Sequence, residues 1–290
     1  MTQQPLRLGQ RTFAPNEFAL MAIINRTPDS FYDSGATYDL DDALCRLAEA
    51  VAAGADIVDV GGVKAGYGPI VDVEEELRRT ADFVAEARSR HPQLIISIDT
   101  WRARVADKLC SLGADLINDT WAGHDRELTA VAAAHGAGLV CSHSGGLGPR
   151  TDPHRAAYDD VVADVIDTVI GLADKALAAG VRRDGILIDP THDFGKNTWH
   201  SLELTRRLGE LADTGWPVLV ALSNKDFIGE TLDRDKDRRL PGTLASTAIS
   251  AWLGARVFRA HNVAETRQTL DMVASIQGNR PPAVARRGLA

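Results

Sequence analysis

Residues 94–119 read LIISIDTWRARVADKLCSLGADLIND, and this stretch contains one complete strand–helix–strand unit. An aliphatic run, Leu94–Ile98, precedes a segment with apolar residues every three or four positions, and a second short run, Asp115–Ile117, follows it. Gly113 ends the helical segment, where a left-handed cap is expected. Strands that alternate with helices in this way lie parallel in one sheet. The unit therefore predicts an α/β fold.

The same alternation runs through the rest of the chain. Eight strands are predicted, at Phe18–Ile24, Ile57–Val60, Leu94–Ile98, Asp115–Ile117, Gly138–Cys141, Ile186–Ile188, Val218–Leu222 and Arg256–Phe258. Eight helices are predicted, at 40–53, 73–90, 101–112, 126–135, 158–179, 200–213, 243–253 and 264–276. Eight units in about 260 residues fit a single-domain (β/α)8 TIM barrel, with a doubly wound sheet as the alternative. We assign the barrel to 16–277, a lead-in to 1–15 and a loose polar tail to 278–290.

The composition is typical of a globular protein, with 44% hydrophobic residues among 290 and a formal net charge of −8. The acidic balance argues against a nucleic-acid partner, because such proteins neutralise phosphates with a basic surface. No run approaches the ~20 apolar residues of a membrane span, and the first residues lack the apolar core of a secretory signal. We therefore expect a cytoplasmic protein without a membrane partner. The three isolated cysteines favour reduced thiols on packed faces.

Every predicted strand ends in polar or ionisable residues. These are Asn25, Asp59, Asp99, Asn118 with Asp119, His143, Asp189, Ser223 followed by Lys225, and Arg259 with His261. Turns favour such residues individually, but a (β/α)8 barrel also gathers its chemistry at this end of its strands. Eight polar strand ends together predict a polar ligand pocket.

The side chains at the strand ends divide by the group that they could bind. Three come from the first and last strands, which are neighbours in a closed barrel: Asn25, Arg259 and His261. They suit a phosphate or diphosphate. Three others are mainly hydrogen-bond acceptors and suit a heterocycle rich in N–H donors: Asp99, Asn118 and Asp189. Lys225 could donate to that ring or act as a Schiff-base amine, and its sequence neighbours leave both roles open.

The motifs around these residues resemble those of the dihydropteroate synthase family over nearly the whole barrel. The first strand and loop, INRTPDSFYDSG at 24–35, are similar to the family's I-N-V-T-P-D-S-F-x-D-G-G. Further motifs follow in order: DVGG at 59–62, IDT at 98–100, IND at 117–119, DP at 189–190, FGK at 194–196, SNK at 223–225, RLPGT at 239–243 and RAHN at 259–262. Each piece is short, but their order and spacing together are highly specific.

The resemblance implies a (β/α)8 barrel, usually a homodimer, that joins a dihydropterin-methyl diphosphate to p-aminobenzoate with Mg²⁺ and no organic cofactor. The implied pterin ligands are Asp99, Asn118, Asp189 and Lys225. The implied diphosphate ligands are Asn25, Arg259 and His261, with Asn25 also on the Mg²⁺. Asp33 and Lys225 are the residues to which the resemblance gives a catalytic role. The expected partner is thus a pterin-like or phosphorylated small molecule.

The loop after the second strand departs from the family pattern. The family's G-G-E-S-T-R-P-G reads GGVKAGYG at 61–68, so the hydroxyl and guanidinium groups that frame the p-aminobenzoate site are missing. The altered positions are Val63, Lys64, Ala65, Gly66 and Tyr67. Lys64 retains a positive charge without the planar fork of Arg.

Two further departures flank the expected ring site. Asp226 replaces the family's Ser after Lys225, near the p-aminobenzoate carboxylate. Like charges ~4 Å apart cost ~1 kcal/mol in bulk water and ~4 kcal/mol at an effective dielectric of 20. The family's D-P-G-I-G-F-G-K reads DPTHDFGK at 189–196, so Thr191 and Asp193 replace two glycines. Asp226 thus argues against p-aminobenzoate binding, and the loss of the two glycines weakens the expectation of tight pterin binding.

The leading hypothesis is a barrel similar to dihydropteroate synthase that keeps its pterin and diphosphate ligands but has lost its second-substrate site, with little or no synthase activity. The alternative is an active synthase, or a variant using another amine acceptor that Asp226 would suit. A metal-dependent hydrolase commonly has His-x-His on the first strand, where this chain has IIN at 23–25. A methyl-transferring pterin-binding protein would not need Arg259 and His261.

Overall fold

A parallel barrel of eight strands forms the centre of the computed structural model, which describes residues 4–27, 39–66, 68–151 and 157–288. A hairpin of β1 (Leu6–Leu8) and β2 (Arg11–Phe13) precedes it. The barrel strands are β3 (Ala19–Asn25), β4 (Ile57–Gly61), β5 (Ile95–Asp99), β6 (Leu116–Asp119), β7 (Gly138–Ser142), β8 (Ile186–Asp189), β9 (Leu219–Val220) and β10 (Val257–Ala260). Their order is β8-β7-β6-β5-β4-β3-β10-β9, and a bridge between Ile188 and Val218 links the two ends. The predicted (β/α)8 barrel is confirmed.

Helices surround the sheet in the alternation that the sequence predicts. They are α1 (Leu40–Ala52), α2 (Val73–Arg90), α3 (Ala103–Ser111), α4 (Leu128–His135), α5 (Val161–Ala178), α6 (Thr198–Arg206), α7 (Leu208–Ala212), α8 (Asp226–Leu232), α9 (Leu240–Trp252) and α10 (Val263–Ile276). Carboxylates of Asp39, Asp72 and Asp160 accept from the first backbone N–H groups of α1, α2 and α5, which fixes these starts. The glycines after α1, α3, α4, α5 and α9 have positive φ, as left-handed caps require.

The structure differs from the predictions in three places. The helix predicted at 200–213 is divided at Arg207 into α6 and α7. The short helix α8 was not predicted, because its seven residues are too few to show a helical period. Cys110 and Cys141 are buried as expected, whereas Cys45 is exposed, so the expectation of packed thiols was wrong for Cys45.

The two ends of the barrel differ in polarity. At the amino-terminal end, Leu6, Leu8 and Phe13 of the hairpin pack on apolar side chains of the strands, including Met21 and Ile57. The segment described as a lead-in therefore closes the bottom of the barrel. A larger apolar layer lies between the sheet and the helices. Polar side chains are left at the carboxyl ends of the strands, where a (β/α)8 barrel carries its sites.

None of the helices in the described ranges is both long enough and apolar enough to cross a membrane.

Candidate functional site

A buried network centred on Asp59 connects four strands, β4, β5, β6 and β10, at the mouth of the barrel. Ser97 Oγ donates to Asp59 Oδ1 at 2.5 Å, and Asn118 Nδ2 donates to Asp59 Oδ2 at 3.1 Å. Arg259 Nε donates to the same Oδ2 at 2.6 Å, so the guanidinium of β10 reaches across to β4. Asp59 is fully buried, and a buried carboxylate requires such partners.

Arg259 also engages Asp99, a predicted pterin ligand. Its Nη2 donates to Asp99 Oδ2 at 3.0 Å, while Thr120 Oγ1 donates to Asp99 Oδ1 at 3.2 Å. The sequence placed Arg259 with the anion ligands and Asp99 with the ring ligands. The structure joins these two groups directly, so the residues predicted for the ring and those predicted for the anion lie in one continuous site.

Burial raises the pKa of two of the predicted ring ligands. It raises the pKa of Asp99 to about 7, although the nearby Arg259 guanidinium opposes this increase. It raises the pKa of Asp189 to about 6, and the backbone N–H of Thr191, which donates to Asp189 Oδ1 at 2.7 Å, opposes it. Both carboxyl groups therefore change protonation close to neutral pH.

Lys225 is the positively charged member of the residues predicted to bind the ring. It directly precedes α8, and its Nζ lies 4.4 Å from the centroid of the Phe194 ring. Burial lowers the pKa of Lys225, and the carboxylates of Asp193 and Asp189 oppose this decrease. The lysine is thus a partly buried donor facing two acids.

Two contiguous cavities bring the predicted residues together. The inner cavity has a volume of about 260 Å³, and the outer cavity one of about 710 Å³. The inner cavity is lined by all four predicted pterin ligands: Asp99, Asn118, Asp189 and Lys225. Both cavities contact Lys64, Ala65, Gly66, Arg259 and His261, and the outer one adds Asn25, Val63 and Asp226. Asp33 and Tyr67 lie outside the described residues.

The residues predicted to bind an anion lie where the first and last strands meet. His261 Nδ1 is 3.0 Å from Ser223 Oγ, and the backbone N–H of His261 donates to the same oxygen at 3.2 Å. Within the described ranges, no three His, Cys, Asp or Glu residues lie together as metal ligands. Mg²⁺ accepts amide oxygens but keeps waters and phosphate oxygens as most of its ligands. The side chain of Asn25 therefore fits an ion that a diphosphate mainly holds.

The altered second loop is attached to the loop that follows β7. Arg150 Nη1 donates to the carbonyl of Pro69 at 2.6 Å, and Arg150 Nε donates to that of Gly66 at 3.2 Å. Val63 and Ala65 line the outer cavity without a polar side-chain atom. These two side chains therefore offer no hydrogen-bond group to the cavity, whereas Lys64 between them lines both cavities.

The surroundings of Asp226 differ from those that the sequence predicted. Its side chain is 78% exposed, and Arg239 Nη1 donates to its Oδ1 at 2.7 Å. The guanidinium offsets the negative charge, and solvent screens it. Asp226 lines the outer cavity, but because it turns to solvent and pairs with Arg239, the predicted repulsion of an anionic second substrate does not follow.

Two strand-end residues stabilise loops instead of lining the cavities. His143 Nδ1 is 2.8 Å from Lys196 Nζ, which also donates to the carbonyl of Phe194 at 2.8 Å. Burial lowers the pKa of Lys196 to about 7. Asp119 accepts from the backbone N–H groups of Trp121 and Gly123, at 3.0 and 2.7 Å, as a turn former does.

Asp59 was predicted only as a strand-end residue without a ligand role, and Ser97 and Thr120 were not predicted at all. Asp59 and Ser97 lie two residues before the ends of their strands, on the same inward face as the strand-end positions. Because side chains alternate between the two faces of a strand, this spacing could have identified both residues from the sequence. The aromatic wall of Trp121 and Phe194, whose ring centroids are 5.4 Å apart, depends on two separate loops. No local pattern predicts that contact.

Comparison with known proteins agrees with this geometry. Residues 21–261 match the family described as pterin binding enzymes. The chain belongs to this family. It is 56% identical over 284 residues to inactive dihydropteroate synthase 2 of Mycobacterium leprae, which covers 97% of this chain and 98% of the relative.

Two further similarities extend over most of the chain. Inactive dihydropteroate synthase 2 of Mycobacterium tuberculosis (strain H37Rv) is also 56% identical, over 97% of this chain and 89% of the relative. The crystal structure of Yersinia pestis dihydropteroate synthase with a sulfonamide drug superposes with a TM-score of 0.89 at 30% identity, covering 96% of this chain and 100% of that one. The predicted resemblance to dihydropteroate synthases is therefore confirmed.

Proposed function

We propose that this protein binds a pterin bearing an anionic group at the mouth of its barrel and has little or no dihydropteroate synthase activity. The observation that carries the proposal is the composition of the inner cavity, where all four ring-binding side chains line a space of about 260 Å³. The relatives named inactive dihydropteroate synthase 2 support the second half of the proposal.

The inner cavity suits the pyrimidine edge of a pterin. That edge presents N–H donors beside a carbonyl acceptor. The carboxylate of Asp189 accepts from the donors, the Asn118 amide can do both, and the Lys225 ammonium donates to the carbonyl. The ring packs beside Phe194, whose own ring already lies against Lys225.

The anion end suits a phosphate or diphosphate. Arg259 and His261 border both cavities, so an anion there would share Arg259 with Asp59 and Asp99. A bound Mg²⁺ would be held by Asn25 together with the phosphate oxygens, and it would stabilise charge on a departing diphosphate. These side chains bind and orient the anion.

The altered loop offers a second substrate fewer positioning groups than the family pattern does. Val63, Ala65 and Gly66 carry no side-chain hydrogen-bond donor, and Arg150 is engaged with the carbonyls of Gly66 and Pro69. Orientation of two reactants supplies a large part of the rate in such condensations. We therefore expect binding without efficient turnover.

We also infer that the protein forms a homodimer through α9 and α10, which pack against each other. Four large apolar side chains of these helices are more than half exposed: Ile249, Trp252, Met272 and Ile276. Exposed apolar surface of this kind on neighbouring helices is typical of an interface.

The deciding experiment combines a synthase assay with calorimetry. The purified protein is assayed with Mg²⁺, the dihydropterin diphosphate and p-aminobenzoate. The dihydropterin diphosphate is also titrated alone by calorimetry into the wild type and into the matched variant Asp189→Asn. We expect binding to the wild type, weaker binding to the variant, and turnover at least a hundredfold below ~1 s⁻¹.

Turnover near ~1 s⁻¹ would identify an active synthase and overturn the second half of the proposal. Turnover only with a neutral or cationic amine in place of p-aminobenzoate would identify another acceptor. An absence of diphosphate binding would overturn the first half.

A further inference from the structure

Asp193 connects the loop after β8 to the start of α8. Its Oδ2 accepts from the backbone N–H of Asp226 at 2.7 Å and from that of Phe227 at 3.4 Å. Its Oδ1 accepts from Ser201 Oγ at 3.1 Å, which holds the carboxylate against α6. One side chain thus joins the two strand-end loops that carry Asp189 and Lys225.

The start of α8 requires this external cap. A helix leaves its first N–H groups without partners, and the residue before the helix usually satisfies them with its own side chain. Here that residue is Lys225, whose side chain lines the inner cavity and makes no capping hydrogen bond. The carboxylate of Asp193 takes over this role from another loop.

The backbone shows that Asp193 occupies a position suited to glycine. Its φ is +70°, and that of Thr191 is +51°, a region that side chains rarely adopt. The dihydropteroate synthase pattern has glycine at both positions. The chain therefore keeps the loop conformation and adds a carboxylate that the pattern lacks, although Asp tolerates this region better than most residues.

The charges that face Lys225 come from the carboxyl ends of three strands, β8, β9 and β10. Burial disfavours its ammonium form, and among the charged neighbours Asp193 favours that form most, followed by Asp189. Asp226 also favours it, and Arg259 opposes it. Lys196, behind the β8 loop, is a second opposing cation. Asp193 thus affects both the position and the charge of the lysine.

We propose that Asp193 is a positioning residue of the inner cavity, whose carboxylate fixes the start of α8 and thereby holds the Lys225 ammonium against the carbonyl of a bound pterin. The pterin in this statement rests on the proposed function, whereas the fixing of Lys225 does not.

The first test needs no ligand. Lysines of the wild type, Asp193→Asn and Glu230→Gln are labelled by reductive ¹³C-methylation and titrated by NMR, with Lys225→Arg identifying the Lys225 signal. Glu230 is the matched control, because Thr198 Oγ1 of α6 donates to its carboxylate on α8 away from the helix start. We expect Asp193→Asn to lower the proton affinity of Lys225 roughly tenfold and Glu230→Gln to change it less than twofold.

The second test uses calorimetry with 6-hydroxymethylpterin and, separately, inorganic diphosphate. Asp193→Asn and Asp193→Gly should weaken pterin binding about tenfold and diphosphate binding less than twofold, because Arg259 and His261 are not held by Asp193. Asp193→Gly restores the family residue and relieves the positive φ, so it also serves as the folding control.

The outcomes separate the two proposals. If the wild type binds neither 6-hydroxymethylpterin nor the dihydropterin diphosphate but Asp193→Asn shifts the titration of Lys225, the proposed function fails and the positioning role stands. An unchanged Lys225 titration in Asp193→Asn, or an equal change in Glu230→Gln, overturns the positioning role. Equal losses of pterin and diphosphate binding in Asp193→Gly would also overturn it, because they would indicate a general structural role.

Discussion

Replacement of Arg259 with methionine should destabilise the protein strongly, because it leaves two carboxylates without their cation. Arg259 Nε lies 2.6 Å from Asp59 Oδ2, and Nη2 lies 3.0 Å from Asp99 Oδ2, in a site where Asp59 is fully buried. Removing one partner of a buried ion pair costs about 3–5 kcal/mol. Because 18% of the Arg259 side chain remains exposed, we expect the lower end, about 3 kcal/mol.

Urea unfolding followed by tryptophan fluorescence measures this loss. With a denaturant dependence of about 3 kcal/mol/M, the midpoint of Arg259→Met should fall by about 1 M at pH 7.5. The difference from the wild type should shrink at pH 5.5, because a proton can neutralise an unpaired carboxyl group there. Arg90→Gln, which removes the exposed Arg90–Glu86 pair, is the control and should hardly move the midpoint.

A double variant separates the orphaned charge from lost packing. Asp59→Asn in the Arg259→Met background removes the buried charge and leaves an amide that can still bond to Ser97 and Asn118. We expect it to recover about 2 kcal/mol of the free energy of unfolding. If Arg259→Met unfolds at the wild-type urea concentration at pH 7.5, the ion pairs do not stabilise the fold and the reasoning fails.

Three further predictions concern the cavities and the assembly. Affinity for 6-hydroxymethylpterin should rise between pH 5 and 7.5, because burial raises the pKa of Asp99 to about 7 and that of Asp189 to about 6, and the ionised groups are the stronger acceptors for the N–H groups of the ring. A flat calorimetric profile would contradict this. A graft of the family's E-S-T-R-P into 63–67 should produce p-aminobenzoate binding that the wild type lacks, and calorimetry of both proteins with the same dihydropterin ligand tests it. Trp252→Asp should halve the mass measured by light scattering, whereas Trp199→Asp, at a still more exposed tryptophan elsewhere, should not.

Much of the fold was predictable because its signals are local. Each strand is a short aliphatic run, and each helix has its own period and, in five cases, a glycine at its end with positive φ. The amino-terminal hairpin was missed as part of the core, because three-residue strands show no period and Leu6, Leu8 and Phe13 become buried only against the assembled barrel.

The candidate site was predictable to the extent that parallel strands end at one rim. That topology brought together Asp99, Asn118, Asp189 and Lys225 from strands spread over more than a hundred residues. It did not predict which strand-end groups face the cavity, since His143 and Asp119 stabilise loops instead. Turn formers and ligands have the same residue types, so only side-chain direction distinguishes them.

The sequence by itself determined the barrel, the family resemblance and the altered loop at 61–68, because these depend on local periodicity and on residue identity. The tertiary structure alone decided how the charges pair. Arg259 joins Asp59 to Asp99, Arg239 offsets Asp226, and Asp193 caps the helix that follows Lys225. The physical reason is that an ion pair or a remote cap depends on a separation of a few ångströms between residues up to 200 positions apart, which only the folded chain defines.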